Sequence, residues 1–219
     1  MSRVDEIAAN LARVRERIAK AAARAGRDPA SVTLVAVGKT KPLEDLLHAY
    51  ASGVRDFGEN RVQEAGEKFP ALPADAVRHL IGPIQSNKAN RAAKIADVVQ
   101  TIDSADLAQR LARGAESAGK RLKVLLEVHL GGEATKAGVS PVEVPALAGV
   151  VRTLPALDLQ GLMTIPPPGE TRPHFATLRR LAGELGLPVL SMGMSDDFET
   201  AIEEGATLVR IGTAIFGSR

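Results

Sequence analysis

The 219-residue chain has no cysteine, no tryptophan and a single tyrosine. Without cysteine it can form no disulfide, offer no thiolate nucleophile and build no cysteine-ligated metal site. Aromatic residues make up only 3%, too few for a platform on which nucleic-acid bases could stack. Charge of one sign is also missing. The 28 basic and 26 acidic residues leave a net +2, which directs the chain to neither nucleic acid nor an anionic membrane. The four histidines show no paired ligand spacing, so no metal site is expected. No apolar run approaches a membrane span, and the start lacks the apolar core of a signal peptide. Its arginines would suit a mitochondrial transit peptide, but Asp5, Glu6 and Glu16 argue against one, because such peptides avoid acids. A cytoplasmic protein is the expectation.

What remains is an ordinary globular balance, 45% hydrophobic and 25% charged, enough for one sizeable core. Val4, Ile7, Leu11, Val14 and Ile18 recur at steps of three and four, which predicts an amphipathic helix ending near Gly26. Apolar runs then alternate with helical patterns. Strands are predicted near residues 34–38, 54–58, 79–83, 96–102, 124–130, 157–165, 188–192 and 207–211. Helices are predicted near 43–50, 59–69, from 85 onward, 105–118, 142–152, 174–184 and 196–204, with loops at Gly131-Gly132 and Pro166-Pro167-Pro168. About eight strand–helix units with short connections imply a parallel α/β barrel, a single (β/α)8 domain over 1–219 with an added N-terminal helix. An open doubly wound sheet is the alternative.

In such folds the functional site lies at the carboxyl ends of the strands. Lys39 stands there. It ends the run of residues 34–38, precedes Pro42 and the next helix, and shares strand parity with Val35 and Val37. It is either a snorkelling or ion-paired surface residue, or an amine whose surroundings let it form a Schiff base. Ser191-Met192-Gly193-Met194-Ser195 follows the seventh strand, and Gly212-Thr213 follows the eighth. These loops form the usual phosphate cradle of a barrel, although glycine and serine there also suit plain turns. Arg210 shares parity with Leu208 and Gly212, and reads as a rim salt bridge or as a permanent donor aimed at a ligand. Asn60 reads as a helix cap or a ligand contact. His79 reads as a structural histidine.

Several stretches together resemble one family, the YggS-type pyridoxal-phosphate homeostasis proteins. They are Val35-Ala36-Val37-Gly38-Lys39-Thr40-Lys41-Pro42, Phe57-Gly58-Glu59-Asn60, His79-Leu80-Ile81-Gly82-Pro83-Ile84-Gln85-Ser86-Asn87-Lys88, Ser191-Met192-Gly193-Met194-Ser195-Asp196 and the segment from Val209 to Gly217. The resemblance covers nearly the whole chain in order. It implies a barrel like the N-terminal domain of alanine racemase, carrying pyridoxal 5′-phosphate (PLP). On that resemblance Lys39 is the Schiff-base lysine, and Ser191, Gly212 and Thr213 contact the phosphate, joined by amides near Met194 and Ser195. Arg210 faces the pyridine nitrogen and Asn60 lies near the ring. Four positions depart from the family's common residues: Gly38 (serine), Arg61 (tyrosine), Arg78 (aromatic) and His129 (asparagine, in a loop with Glu133, Lys136 and Gly138).

The same resemblance bears on catalysis. An arginine cannot accept a proton, so it supports electron-withdrawing PLP chemistry poorly. Racemisation by two bases needs a second proton-transfer group, and Tyr50 lies in a predicted helix away from the strand ends. The expectation is a PLP carrier or regulator of vitamin B6 homeostasis with no catalytic residue assigned. It would be a monomer or weak dimer, with PLP-requiring apoenzymes as candidate recipients. A racemase-like enzyme and a barrel for another phosphorylated ligand are the alternatives.

Overall fold

Eight parallel strands close on one another in chain order. They are β1 (Thr33–Val37), β2 (Asp56–Glu59), β3 (Val77–Leu80), β4 (Val98–Ile102), β5 (Leu122–Glu127), β6 (Leu157–Met163), β7 (Val189–Ser191) and β8 (Leu208–Ile211). The ring shuts where β1 pairs β8, with Val35 opposite Arg210 and Ala36 opposite Ile211. This computed structural model describes residues 2–131, 137–167 and 169–217. Gly132, Glu133, Lys136 and Pro168, read above as loop residues, lie outside the described residues.

The period of two along each strand separates two cores. Ala36, Phe57, Leu80, Val99, Val124, Leu162 and Val209 point outward and pack with the apolar faces of the surrounding helices. Val35, Val37, Ile81, Val98, Leu125 and Met163 are equally buried but stand apart from that cluster, on the inward parity. The interior also carries His79, Gln100, Ser191 and Arg210, all buried. The open doubly wound alternative is thereby excluded.

Helices follow the strands: α2 (Leu43–Ala51), α3 (Val62–Lys68), α4 (Ala89–Ile95), α5 (Ala105–Ser117), α6 (Val144–Arg152), α7 (Arg172–Glu184), α8 (Phe198–Glu203) and α9 (Thr213–Phe216). Before them comes α1 (Arg3–Arg24), started by a Ser2–Asp5 capping box. Its predicted stripe is buried at Ile7, Leu11, Val14 and Ile18, while Val4 remains exposed. This helix packs beside α2, α8 and α9, and Arg17 and Arg24 pair with Glu199 and Glu203. No described helix is long and apolar enough to cross a membrane.

Local boundaries differ from the sequence-based expectation in three informative places. Glu59 does not open a helix. It extends β2, because its carbonyl accepts Ile81 N–H at 3.0 Å, and α3 begins only at Val62. Residues 86–88 form a single tight turn of 3-10 helix before α4. His79 lies inside β3, which starts two residues earlier at Val77. The short α9 was not anticipated, since four residues carry too little periodicity to read.

Candidate functional site

The Lys39 segment is shaped by groups outside it. After β1 the chain turns through residues 38–41, with Lys41 N–H donating to Gly38 O at 3.0 Å. Thr40 takes φ +64°, a left-handed conformation uncommon for a branched residue. A buried ion-pair cluster holds the turn there. Lys68 Nζ on α3 donates to Gly38 O at 2.8 Å, to Glu59 Oε1 at 2.9 Å and to Glu64 Oε1 at 2.6 Å. Glu64 Oε1 also accepts the Thr40 N–H at 2.7 Å. Burial pushes the Glu59 carboxyl up to about 7 despite the opposing pull of Lys68. Lys39 itself is exposed and has no hydrogen bond or ion pair among the described residues.

That free amine faces a cavity of about 230 Å³ at the carboxyl end of the barrel. Of the residues singled out from the sequence, Lys39, Asn60, Met194, Ser195, Arg210, Gly212 and Thr213 all line it. Ser191 does not. It is fully buried behind the wall, where its hydroxyl accepts from Arg210 Nη1 at 2.7 Å and donates to Gln100 Oε1 at 2.6 Å. Arg210 Nη2 donates to Thr164 O at 2.9 Å. Burial lowers the Arg210 guanidinium to about 10, with Glu127 and Asp197 opposing the shift, so it stays charged at neutral pH.

The opposite wall is made by two loops. At Gly193 the backbone has φ +94°, and a Cβ there would come within 2.6 Å of Ala201 Cβ and 2.9 Å of Phe198 Cα. Only glycine lets the β7 loop lie so close to α8. The Met194 N–H is already donated to Asp197 Oδ1 at 2.7 Å. Ser195 Oγ accepts the Ala214 N–H at 3.3 Å, which ties the β7 loop to the start of α9. Gly212 and Thr213 occupy that start, with Gly212 against Val37 O. Ile81 and Ile165 add apolar surface. One small cavity thus presents the unpaired Lys39 amine, the held Arg210 guanidinium and hydroxyl and backbone donors beside apolar surface, with Lys41 and Asp196 as further charged residues of its lining. The set suits a compact, flat, anionic ligand bearing an electrophile.

Two kinds of participant escaped the sequence reading. Lys68 and Glu64 look like ordinary charges on a polar helix, and only the fold brings them under Gly38. Gln100 was more accessible, as the one amide in the otherwise apolar and Thr-containing strand β4, whose five residues are all buried.

A family model for the alanine racemase N-terminal domain matches residues 5–219. A pyridoxal phosphate homeostasis protein of Pseudomonas aeruginosa is 50% identical over 97% of this chain and 96% of its own length. The chain belongs to the pyridoxal phosphate homeostasis protein family. Another similar structure is PipY of Synechococcus elongatus, solved with PLP bound. It is 40% identical, with a TM-score of 0.84 over 96% of this chain and all of that one. An alanine racemase of Clostridium difficile, 16% identical, shares the fold alone, with a TM-score of 0.77 over 98% of this chain and 57% of that one.

Against the family's common residues, the four departures fall outside the described cavity lining. Gly38 fits a confined space, since a Cβ would meet Leu46 Cδ1 at 2.7 Å and Glu59 Oε1 at 2.8 Å. Arg61 occupies the N-cap position of α3 without a side-chain capping bond and is exposed. Arg78 faces outward and donates to the carbonyls of Phe69, Leu72, Pro73 and Ala76. His129 follows β5, with its backbone N–H bonded to Val139 O.

Proposed function

We propose that this chain binds PLP in the cavity below Lys39, attaches it covalently through Lys39 Nζ, and stores and hands on the cofactor without robust turnover of amino acids. The observation that carries this reading is the pairing of an unpartnered lysine with the held cation Arg210 across one small cavity. When bound, PLP supplies an aldehyde that condenses with an amine, losing water, and a ring that can withdraw electrons. Lys39 is free to serve as the amine. Gly212, Thr213 and Ser195 offer amides and hydroxyls for a phosphate. Arg210 donates to the ligand from the cavity floor and, lacking an acceptor site, takes up no proton from it. Ser191 acts on the ligand only through Arg210.

The same residues support storage over catalysis. Two-base chemistry needs a second proton carrier facing Lys39. Tyr50, the only tyrosine, is spent on Asp75 outside the barrel at 2.5 Å, and Asp196, the one carboxylate in the described cavity lining, is exposed to solvent. Release through the exposed mouth beside Lys39 and Met194 would deliver the cofactor to PLP-requiring apoenzymes.

The test is to add PLP to the purified protein, record its absorbance, reduce it with borohydride and map the modified peptide. A yellow species fixed at Lys39 and lost in Lys39→Ala is expected, with no measurable racemisation of alanine. Labelling scattered over other lysines would overturn the site, and robust turnover would overturn the carrier role.

A further inference from the structure

The interior of this barrel contains a chain of hydrogen bonds that reaches well beyond the cavity. It starts at Arg210 on β8, passes to Ser191 on β7 at 2.7 Å, and crosses to Gln100 on β4 at 2.6 Å. From there it goes to His79 Nδ1 on β3 at 3.0 Å, and His79 Nε2 meets Asp56 Oδ1 on β2 at 2.9 Å. Ser191 and Gln100 are fully buried, and His79 and Arg210 are 2% and 3% exposed. The far end, Asp56, is half-buried at the opening of its strand.

The chemistry of the groups gives this chain a direction. A guanidinium only donates, so Ser191 Oγ must accept from Arg210 and turn its own proton to Gln100 Oε1. The amide is then oriented, with its NH2 facing His79. His79 Nδ1 therefore accepts, and the ring proton sits on Nε2, where it donates to the Asp56 carboxylate. Reversing the amide would set its NH2 against a serine oxygen that already accepts from Arg210. It would also leave the serine proton without an acceptor and require a proton on both ring nitrogens of His79, with Nδ1 donating to the amide oxygen and Nε2 to Asp56, a costlier arrangement for a buried ring. Each link thus fixes the next.

We infer that His79 and Gln100 are positioning residues for Arg210, a one-way hydrogen-bond chain across the barrel setting how the guanidinium faces the cavity. Neither residue lines the cavity. Their influence passes through Ser191, which with the Thr164 carbonyl holds the two Arg210 nitrogens.

The test begins on the protein without added cofactor. Side-chain 15N NMR reports which nitrogen of a histidine carries the proton, and His79→Gln assigns the signal. Wild-type His79 should show a single Nε2–H form. Ser191→Ala, which does not touch His79, should release the amide and give mixed forms, and Ser191→Thr should restore the single one. A wild-type proton on Nδ1, or an unchanged signature in a folded Ser191→Ala, would overturn the chain; the wild-type measurement needs no variant to fold. The functional half rests on the PLP reading and has its own arm. Absorbance titration with PLP should show Gln100→Leu binding about tenfold more weakly while borohydride still labels Lys39. Unchanged affinity would overturn the positioning role. A wild type that ignores PLP would sink the cofactor reading while leaving the NMR result standing.

Discussion

Many proteins lose stability when acidified; this one should gain it between about pH 8 and pH 5.5, because of Glu59 and Glu127. Glu59 is fully buried beside Lys68, and Glu127 is 8% exposed at the end of β5, near Asp103 and Arg210. Burial pushes each carboxyl from its ordinary 4.5 up to about 7. The folded protein therefore binds more protons than the unfolded chain between those values. The stabilisation is complete below about 4.5 and is lost as pH rises through about 7. Between about pH 8 and pH 5.5 the difference is about 2 kcal/mol for each group, at 1.36 kcal/mol per unit. Asp197, also raised by burial, adds in the same direction. Carboxylates held low by partners, such as the exposed Asp106 and the half-buried Glu203, act oppositely but only in more acidic solution. Urea unfolding of the protein without PLP at the two pH values measures the sum. Glu59→Gln should remove roughly half of the gain, since an amide in that place does not titrate. Equal or greater stability at the higher pH, or an unchanged slope in the variant, would refute the reasoning.

Lys68→Met strands the buried Glu59 carboxyl and leaves the Glu64 carboxylate and the Gly38 carbonyl with one donor each, the Thr40 and Lys41 N–H groups. It should cost about 3 kcal/mol in a denaturation experiment and lower the yield of PLP-labelled Lys39 peptide as the turn loosens. Gly193→Ala forces a Cβ into Ala201 and Phe198 at φ +94°, and should lower stability by about 2 kcal/mol or more. Gly149→Ala is its control: exposed on α6 with nothing within 4 Å, it should stabilise by up to about 1 kcal/mol, both read as melting temperatures. Arg78→Ala removes the donors to four carbonyls and should cost about 2 kcal/mol. PLP titration should be unchanged, because the side chain faces away from the cavity.

The apolar runs made the strands legible because a parallel sheet covered on both faces needs nearly continuous hydrophobic segments. Parity then put Lys39 and Arg210 on the interior side, and the cavity brings both together. Other features depended on contacts distant in sequence. Glu59 looked like a helix start because a glutamate before a polar run usually is one; its strand pairing comes from Ile81, 22 residues later. Ser191 was placed by its position at the end of the seventh strand, which does not report depth; it is fully buried and meets the cavity-lining Arg210 instead. The clamp from Lys68 to Gly38 joins residues 30 apart, and no local pattern marks it.

The first helix also has a consequence for how the chain is made. Its apolar face and its arginines meet α8 and α9, and Asn10 donates to Ile215 O at 2.8 Å while Arg3 donates to Phe216 O at 2.8 Å. Some 170 residues separate α1 from α8, so at typical elongation rates the ribosome takes roughly 10 to 35 s to deliver that partner. During that wait Ile7, Leu11, Val14 and Ile18 can be covered only in part, by α2. The nascent protein carries an N-terminal helix with an incompletely covered apolar face until α8 and α9 emerge, a surface open to whatever guards exposed apolar segments at the tunnel exit.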